Sequence, residues 1–133
     1  MLPDFNDDGY LPPGVHLATL DEVAERFGRE TELRRVQTES LQWLVDLARR
    51  AGALRLIVNG SFTTDRPEPN DVDCVLLIGP GFPRNAEAEK ELLDGLPFIE
   101  LKMVGAEDFT LLVERIFATD RQAVAKGMIE VVL

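Results

Sequence analysis

Helix-like and strand-like patterns alternate along this sequence, and the alternation predicts an α/β protein of the α+β type, with a small mixed β-sheet flanked by helices. Three observations carry that expectation. Two helical stretches fill residues 19–51, four short apolar runs come after them, and Gly- or Pro-containing turns punctuate the intervals between those runs. The length of 133 residues is that of one domain, 1–133, without room for a second full-sized core.

Taken in order, residues 1–18 hold Pro3, Gly9, Pro12, Pro13 and Gly14 and read as an extended N-terminal segment broken into turns. Thr19-Leu20-Asp21-Glu22 is a capping box, and Leu20, Val23, Ala24 and Phe27 then recur at helical spacing. Gly28 fits the left-handed position beyond that helix. A longer helix is expected from Arg29 to Ala51, with Leu33, Val36, Leu41, Leu44, Val45, Leu47 and Ala48 as its apolar stripe and Gly52 as its stop. Trp43 is expected to pack beside the stripe, the alternative being a ligand-stacking aromatic.

Leu54 to Val58 is a branched, apolar run that reads as a buried strand. Asn59 to Asn70 is a polar loop with room for one helical turn after Gly60. Asp71 to Ile78 is a second strand, and Arg84 to Leu93 a charged helix ended by Gly95. Phe98 to Val104 is a third strand. Asp108 to Ala118 is a helix with Phe109, Leu112, Val113, Ile116 and Phe117 directed inward, and Met128 to Leu133 is a terminal strand expected at a sheet edge.

Composition narrows the function. Hydrophobic residues make up 45% and charged residues 29%, as in folded globular domains. The formal charge of −10 argues against a broad nucleic-acid surface, which needs clustered cations. It leaves open a nucleotide bridged by a divalent metal. Cys74 is the single cysteine, so an internal disulfide is impossible and a reducing, cytoplasmic setting is expected. No basic-then-apolar leader pattern and no apolar run of about 18 residues is found, so no membrane partner is expected.

One constellation carries chemistry. Val58-Asn59-Gly60-Ser61 is followed, nine residues later, by Asp71-Val72-Asp73 at the start of a strand. Aspartates at i and i+2 on a strand share a face, while Val72 and Cys74 take the other. Two carboxylates so close repel each other unless a cation bridges them, and Mg²⁺, completed by water and phosphate oxygens, suits the pair. Gly60 lets a phosphate approach the backbone, and neighbouring N–H groups with the Ser61 hydroxyl can donate to it. Glu100 lies inside the apolar run Phe98-Ile99-Glu100-Leu101, where it reads either as a metal ligand or general base, or as an edge-strand residue open to water. Lys102 shares its face and can pair with Glu100 or meet a phosphate. Arg66, Arg121 and Lys126 are loop cations, of which Lys126 is a candidate for nucleotide phosphate. His16 reads as a local hydrogen-bonding residue, and one His with one Cys makes zinc an unsuitable guess.

These residues resemble the nucleotidyltransferase superfamily typified by DNA polymerase beta, whose signature is an apolar residue, Gly, Gly or Ser, nine to thirteen residues, then Asp, an apolar residue and an acid. The resemblance covers residues 54–104, with Asn59 standing between the apolar Val58 and Gly60. The chain is also similar to small bacterial proteins of unassigned role with an opening Leu11-Pro12-Pro13-Gly14-Val15-His16, the same GSF and NDVD core, and a closing stretch from Phe117 to Met128. The resemblance implies a nucleotidyltransferase-like sheet and two-Mg²⁺ transfer of NMP from an NTP, such as ATP, to a hydroxyl of a protein, an RNA (tRNA among them) or a small molecule. It implies that Asp71, Asp73 and Glu100 hold the metals, that Glu100 activates the acceptor, and that Gly60 and Ser61 hold the β,γ-phosphates. A place in a toxin–antitoxin pair is a further implication. The competing expectation is a binding module that kept the fold and lost the reaction.

Overall fold

The computed structural model describes residues 2–133. Its elements are β1 (Gly14–Ala18), α1 (Leu20–Phe27), α2 (Glu32–Ala51), β2 (Arg55–Asn59), a 3₁₀ turn (Ser61–Thr63), β3 (Val72–Leu77), α3 (Ala86–Asp94), β4 (Ile99–Val104), α4 (Ala106–Leu111) and β5 (Gly127–Val131). The strands form one sheet in the order β1-β5-β2-β3-β4. β1 with β5 and β3 with β4 run parallel, whereas β2 is antiparallel to both β3 and β5. The fold is therefore α+β with a mixed five-stranded sheet.

Local chemistry explains the helix ends. Thr19 Oγ1 accepts from the Glu22 N–H at 3.2 Å while the Glu22 carboxylate accepts from the Thr19 N–H at 3.1 Å, so the capping box forms as the spacing predicts. Thr31 caps α2 through the Arg34 N–H at 3.1 Å, which starts that helix at Glu32 rather than Arg29. Gly28 is not left-handed, having φ −101°. Its missing side chain is needed for a different reason, since a Cβ there would stand 2.7 Å from Thr38 Oγ1 and 2.8 Å from the Ala24 carbonyl oxygen.

The sheet has two unequal faces. Leu56, Val58, Val72, Cys74, Leu76, Ile129 and Val131 alternate onto one face and pack beneath Leu41, Leu44, Leu47 and Ala48 of α2 and Ala88 and Leu92 of α3. Of its apolar residues the other face buries Ile57, Val75 and Met128 against Phe109 of α4, with Val104, Leu112, Val113 and Phe117 around them. Past α4 the chain makes a π turn over Leu112–Ile116, in which the Phe117 N–H donates to the Leu112 carbonyl at 2.8 Å. The extra residue in that turn rotates the end of the helix, so Phe117 packs against the sheet while Ile116, expected inward, is 53% exposed.

Two further expectations change. β5 is not at an edge, because β1 pairs with it along its outer side from Gly14–Gly127 to Ala18–Val131. The sheet edges are β1 and β4. The strand inside residues 1–18 is five residues long and comes after two prolines, so its pairing is made by contacts with the far end of the chain and not by local pattern. Trp43 lies beside the α2 stripe at 46% exposure. His16 behaves as expected, its Nε2 lying 2.6 Å from the Pro12 carbonyl oxygen. Among the described residues no helix is long and apolar enough to cross a membrane.

The long loop from β2 to β3 is held by α2. Arg34 is 2% exposed, and its guanidinium donates to the carbonyls of Phe27 (3.2 Å), Phe62 (2.8 Å), Thr64 (2.8 Å) and Arg66 (3.1 Å from Nε, with a second bond from Nη2). Gln37 Nε2 donates to the Pro69 carbonyl at 2.6 Å and the Thr31 hydroxyl to the Pro67 carbonyl at 3.1 Å. Burial pulls the Arg34 pKa down, but so many acceptors keep the planar, five-donor group charged. Arg34→Met is expected to lower stability by about 3 kcal/mol or more in urea unfolding, because it strands buried carbonyls. Arg34→Lys should recover little of that loss, since an ammonium cannot fork across them.

Candidate functional site

Register builds the site. Asn59 of β2 lies opposite Asp73 of β3, and Asp73 lies opposite Glu100 of β4. The three side chains form a row on the thinly covered face of the sheet, beyond the end of the Phe109 cluster. Gly60 comes next after Asn59, with φ 82° and ψ −162°, a region essentially restricted to glycine. A Cβ at this position would fall on the Asp73 carboxylate. Ser61 then opens the 3₁₀ turn, closed by Thr63 N–H and Thr64 N–H bonds to the carbonyls of Gly60 and Ser61, each at 3.2 Å.

Asp73 and Glu100 face each other across the β3–β4 ladder closely enough for a hydrogen bond when one of them carries a proton. Burial first, then that bond and the charge of Glu100, then the charge of Asp71, raise the Asp73 pKa to about 6, with the Lys126 ammonium opposing. Asn59 is 2% exposed and its Oδ1 has no partner. Asp71 is exposed and precedes the ladder, whose first bond runs from the Val72 N–H to the Phe98 carbonyl at 2.7 Å. It therefore does not sit on the strand two positions from Asp73 as the spacing predicts, although its charge reaches Asp73. Phe98 itself adopts φ 64°, an uncommon conformation for a bulky residue, at the entry to the strand that carries Glu100.

Two hollows open near this row. One of about 340 Å³ is lined by Tyr10, Gly60, Ser61, Thr64, Asp65, Arg66 and Lys126, so two cations and one carboxylate face it. The other, of about 150 Å³, has Asp73, Glu100, Lys102 and Phe117 among its walls. The structure thus brings Gly60, Ser61 and Lys126 together, and Asp73, Glu100 and Lys102 together, with Gly60 touching Asp73 between them. Arg121 lies outside both linings. β4 is an edge strand, so Glu100 is open to solvent as the second reading of that residue anticipates. Sequence reasoning missed Tyr10, whose local Pro- and Gly-rich setting holds no signal of a distant partner. It placed Phe117 inward but not as a wall of this hollow, because nothing local to residue 117 signals Asp73 or Glu100 as neighbours.

A hard divalent cation is chemically suited to the Asp73–Glu100 pair, since it would offset the repulsion between the two carboxylates. Among the described residues, however, no three His, Cys, Asp or Glu side chains are grouped so that they could hold a metal ion together. The pair is the part of the expected triad that the fold assembles.

Fold and site define an α+β protein in which an acidic pair on neighbouring strands abuts a glycine–serine turn. The chain belongs to the family of unknown function DUF6932, whose model matches residues 3–132. No curated protein and no solved structure matches it.

Two outcomes are expected. Gly60→Ala should lower the melting temperature by several degrees and perturb Asp73, because both its backbone region and the space for its methyl group are denied. The second concerns pH. Asp73 titrates near 3.9 when unfolded and at about 6 when folded, so between those values the native state holds a proton the unfolded chain has lost. Stability therefore falls as pH rises through that window and levels off above it. Asp73→Asn should melt higher than wild type near about pH 8 and at nearly the same temperature below about pH 4, a difference that thermal melts across that range would measure.

Proposed function

We propose that this protein is a Mg²⁺-dependent nucleotidyltransferase that moves NMP from an NTP to a hydroxyl of a protein, tRNA or small molecule, in the cytoplasm. The observation that carries the reading is the contact of Gly60 with the Asp73–Glu100 pair at the mouth of the sheet, beside a hollow containing Ser61 and Lys126. Magnesium would supply charge neutralisation at the α-phosphate and at the departing pyrophosphate. Asp73, with Glu100 and the nearby Asp71, would hold it.

The chain's own residues then have separable tasks. Gly60 leaves the backbone open to a phosphate oxygen, and the Ser61 hydroxyl and Lys126 donate to the β- and γ-phosphates. Lys102 lies beside Glu100 on the solvent side, where it attracts the anionic end of a substrate. Glu100, on the open edge strand, is placed to take the proton of an incoming hydroxyl. The hydroxyl oxygen bonds to the α-phosphorus, the bond from that phosphorus to the bridging oxygen breaks, and pyrophosphate leaves. The acidic overall surface is compatible with a single-nucleotide substrate and with an acceptor held at few points.

The test is transfer from α-labelled ATP, GTP, CTP and UTP in Mg²⁺ to candidate acceptors, comparing wild type with Asp73→Ala. The expected loss in the variant is about 100-fold or more; equal labelling by both proteins would remove Asp73 from catalysis.

A second reading is a non-catalytic, protein-binding module of the same fold, whereas a place in a toxin–antitoxin pair belongs to the transferase reading. The module is favoured by the position of Asp71, which stands exposed and outside the strand. Titration calorimetry with Mg²⁺ and each NTP separates the two. Metal-dependent nucleotide binding supports the enzyme, and no heat from any nucleotide, with a stable protein complex on pull-down, supports the module.

A further inference from the structure

The loop that carries Lys126 is bracketed by a single carboxylate. Asp120 Oδ1 accepts from the N–H groups of Gln122 at 2.8 Å and Val124 at 2.9 Å, and its own N–H donates to the Val124 carbonyl at 2.9 Å. Inside that bracket Ala123 is held at φ 63°, a left-handed conformation that alanine adopts only when its surroundings impose it. The Lys126 N–H donates to the Ala118 carbonyl at 2.9 Å, and Thr119 bridges Ala125, which closes the hairpin-like turn. Asp120 Oδ2 remains, and it accepts from the Tyr10 hydroxyl at 2.7 Å across 110 positions of sequence.

Tyr10 is fixed from its own side as well. Its N–H lies 3.2 Å from Asn6 Oδ1, it bridges Thr64, and the Asp65 N–H donates to the neighbouring Gly9 carbonyl at 3.0 Å. Tyr10 and Lys126 both line the hollow that begins at Gly60 and Ser61. A hydrogen bond to an ionised carboxylate, made between two segments already fixed locally, has little ordering entropy left to lose.

We propose that Tyr10 and Asp120 form a clasp that positions Lys126 over the glycine–serine turn, so that the hollow receives the polyphosphate end of its ligand in a preformed cradle. The clasp deepens the nucleotidyltransferase reading and rests on it for the identity of the ligand. Tyr10 and Asp120 are positioning residues that act through Lys126. Loss of either should weaken polyphosphate binding by about the amount that the loosened lysine loses and leave the acidic pair untouched.

Tyr10 is the only tyrosine in the chain, which makes the clasp visible directly. Its hydrogen bond to Asp120, then burial, then the charges of Asp120 and Asp8 push its pKa up, against a small opposing effect of Arg66. Absorbance titration of the phenol should show that raised value in wild type and a lower one in Asp120→Asn. Equal titration in the two proteins would overturn the clasp.

Calorimetric titration with inorganic tripolyphosphate and Mg²⁺ supplies the second arm. Tyr10→Phe, which keeps the ring, and Asp120→Asn, which keeps the shape, should each weaken binding about tenfold. In the background of Lys126→Met neither should weaken it further, because both act through the lysine that is gone. Undiminished binding in the two single variants, or additive losses in the doubles, would overturn the proposal, as would a wild type that fails to bind tripolyphosphate. Wild type that binds and shows the expected pattern yet transfers no nucleotide would sink the transferase reading and support the clasp. Transfer that survives with unchanged binding in Tyr10→Phe and Asp120→Asn would do the opposite.

Discussion

Arg34 is the constraint on which the open end of this molecule depends. The connection from β2 to β3 is long, polar and twice interrupted by proline, with no strand or long helix to satisfy its main chain. Its carbonyls turn inward and converge on a guanidinium that α2 delivers from beneath. A buried charge is costly, and here the cost is offset by a full set of charge-assisted hydrogen bonds and by the flanking faces of Phe27 and Phe62, 5.9 and 5.3 Å from the guanidinium carbon. Because the donors are planar and fixed, the carbonyls they hold are fixed as well. The Gly60–Ser61 turn therefore has one shape before any ligand arrives.

That rigidity explains how a destabilising arrangement is maintained nearby. Asp73 and Glu100 are forced side by side by parallel pairing, Asn59 keeps an unsatisfied buried oxygen beside them, and Phe98 enters β4 in an uncommon conformation. Each is unfavourable on its own, and none contributes to the core. Local strain and repulsion persist only where surrounding structure over-determines them, and their convergence on a single sheet end is the pattern of a site that holds something rather than of a packed corner.

Much of the fold is legible in the sequence because its signals are local. The Thr19–Glu22 capping box, the apolar alternation of β2, β3 and β4, and the helical turn after Gly60 all depend on neighbours within a few positions. The features that escape reading depend on distant chain. β1 is five residues of weak pattern whose only reason to be a strand is β5, and without it β5 looks like an edge. Ile116 turns outward while Phe117 stays inward because of one extra residue in a π turn, to which a 3.6-residue period is blind. The acidic pair is legible because an aspartate at the start of one apolar strand and an out-of-place Glu100 in another are properties of single strands. Asp71 falls one residue outside β3, at a strand end where pattern is weakest. Arg34 and Tyr10 are invisible as organisers, since a helix arginine and a loop tyrosine look alike whether they face solvent or carbonyls.

The unequal faces of the sheet decide where chemistry is possible at all. Two long elements, α2 and α3, seal one face, so any carboxylate pointing there would sit in a dry core. The opposite face is covered by α4 and its π turn alone, whose apolar contacts are centred on Ile57, Val75 and Met128. Cover runs out in both directions, leaving Val15 and Leu17 exposed toward the β1 edge, and Asp73 and Glu100 at the mouth beside Gly60. The mouth is dry enough to raise the Asp73 pKa to about 6, yet wet enough for a ligand to enter. Extending α4 by one more turn across that mouth would satisfy the apolar face better and close the hollow. The chain instead devotes residues 117–126 to a bracketed loop that ends in Lys126, placing a cation where a helix would have placed a lid.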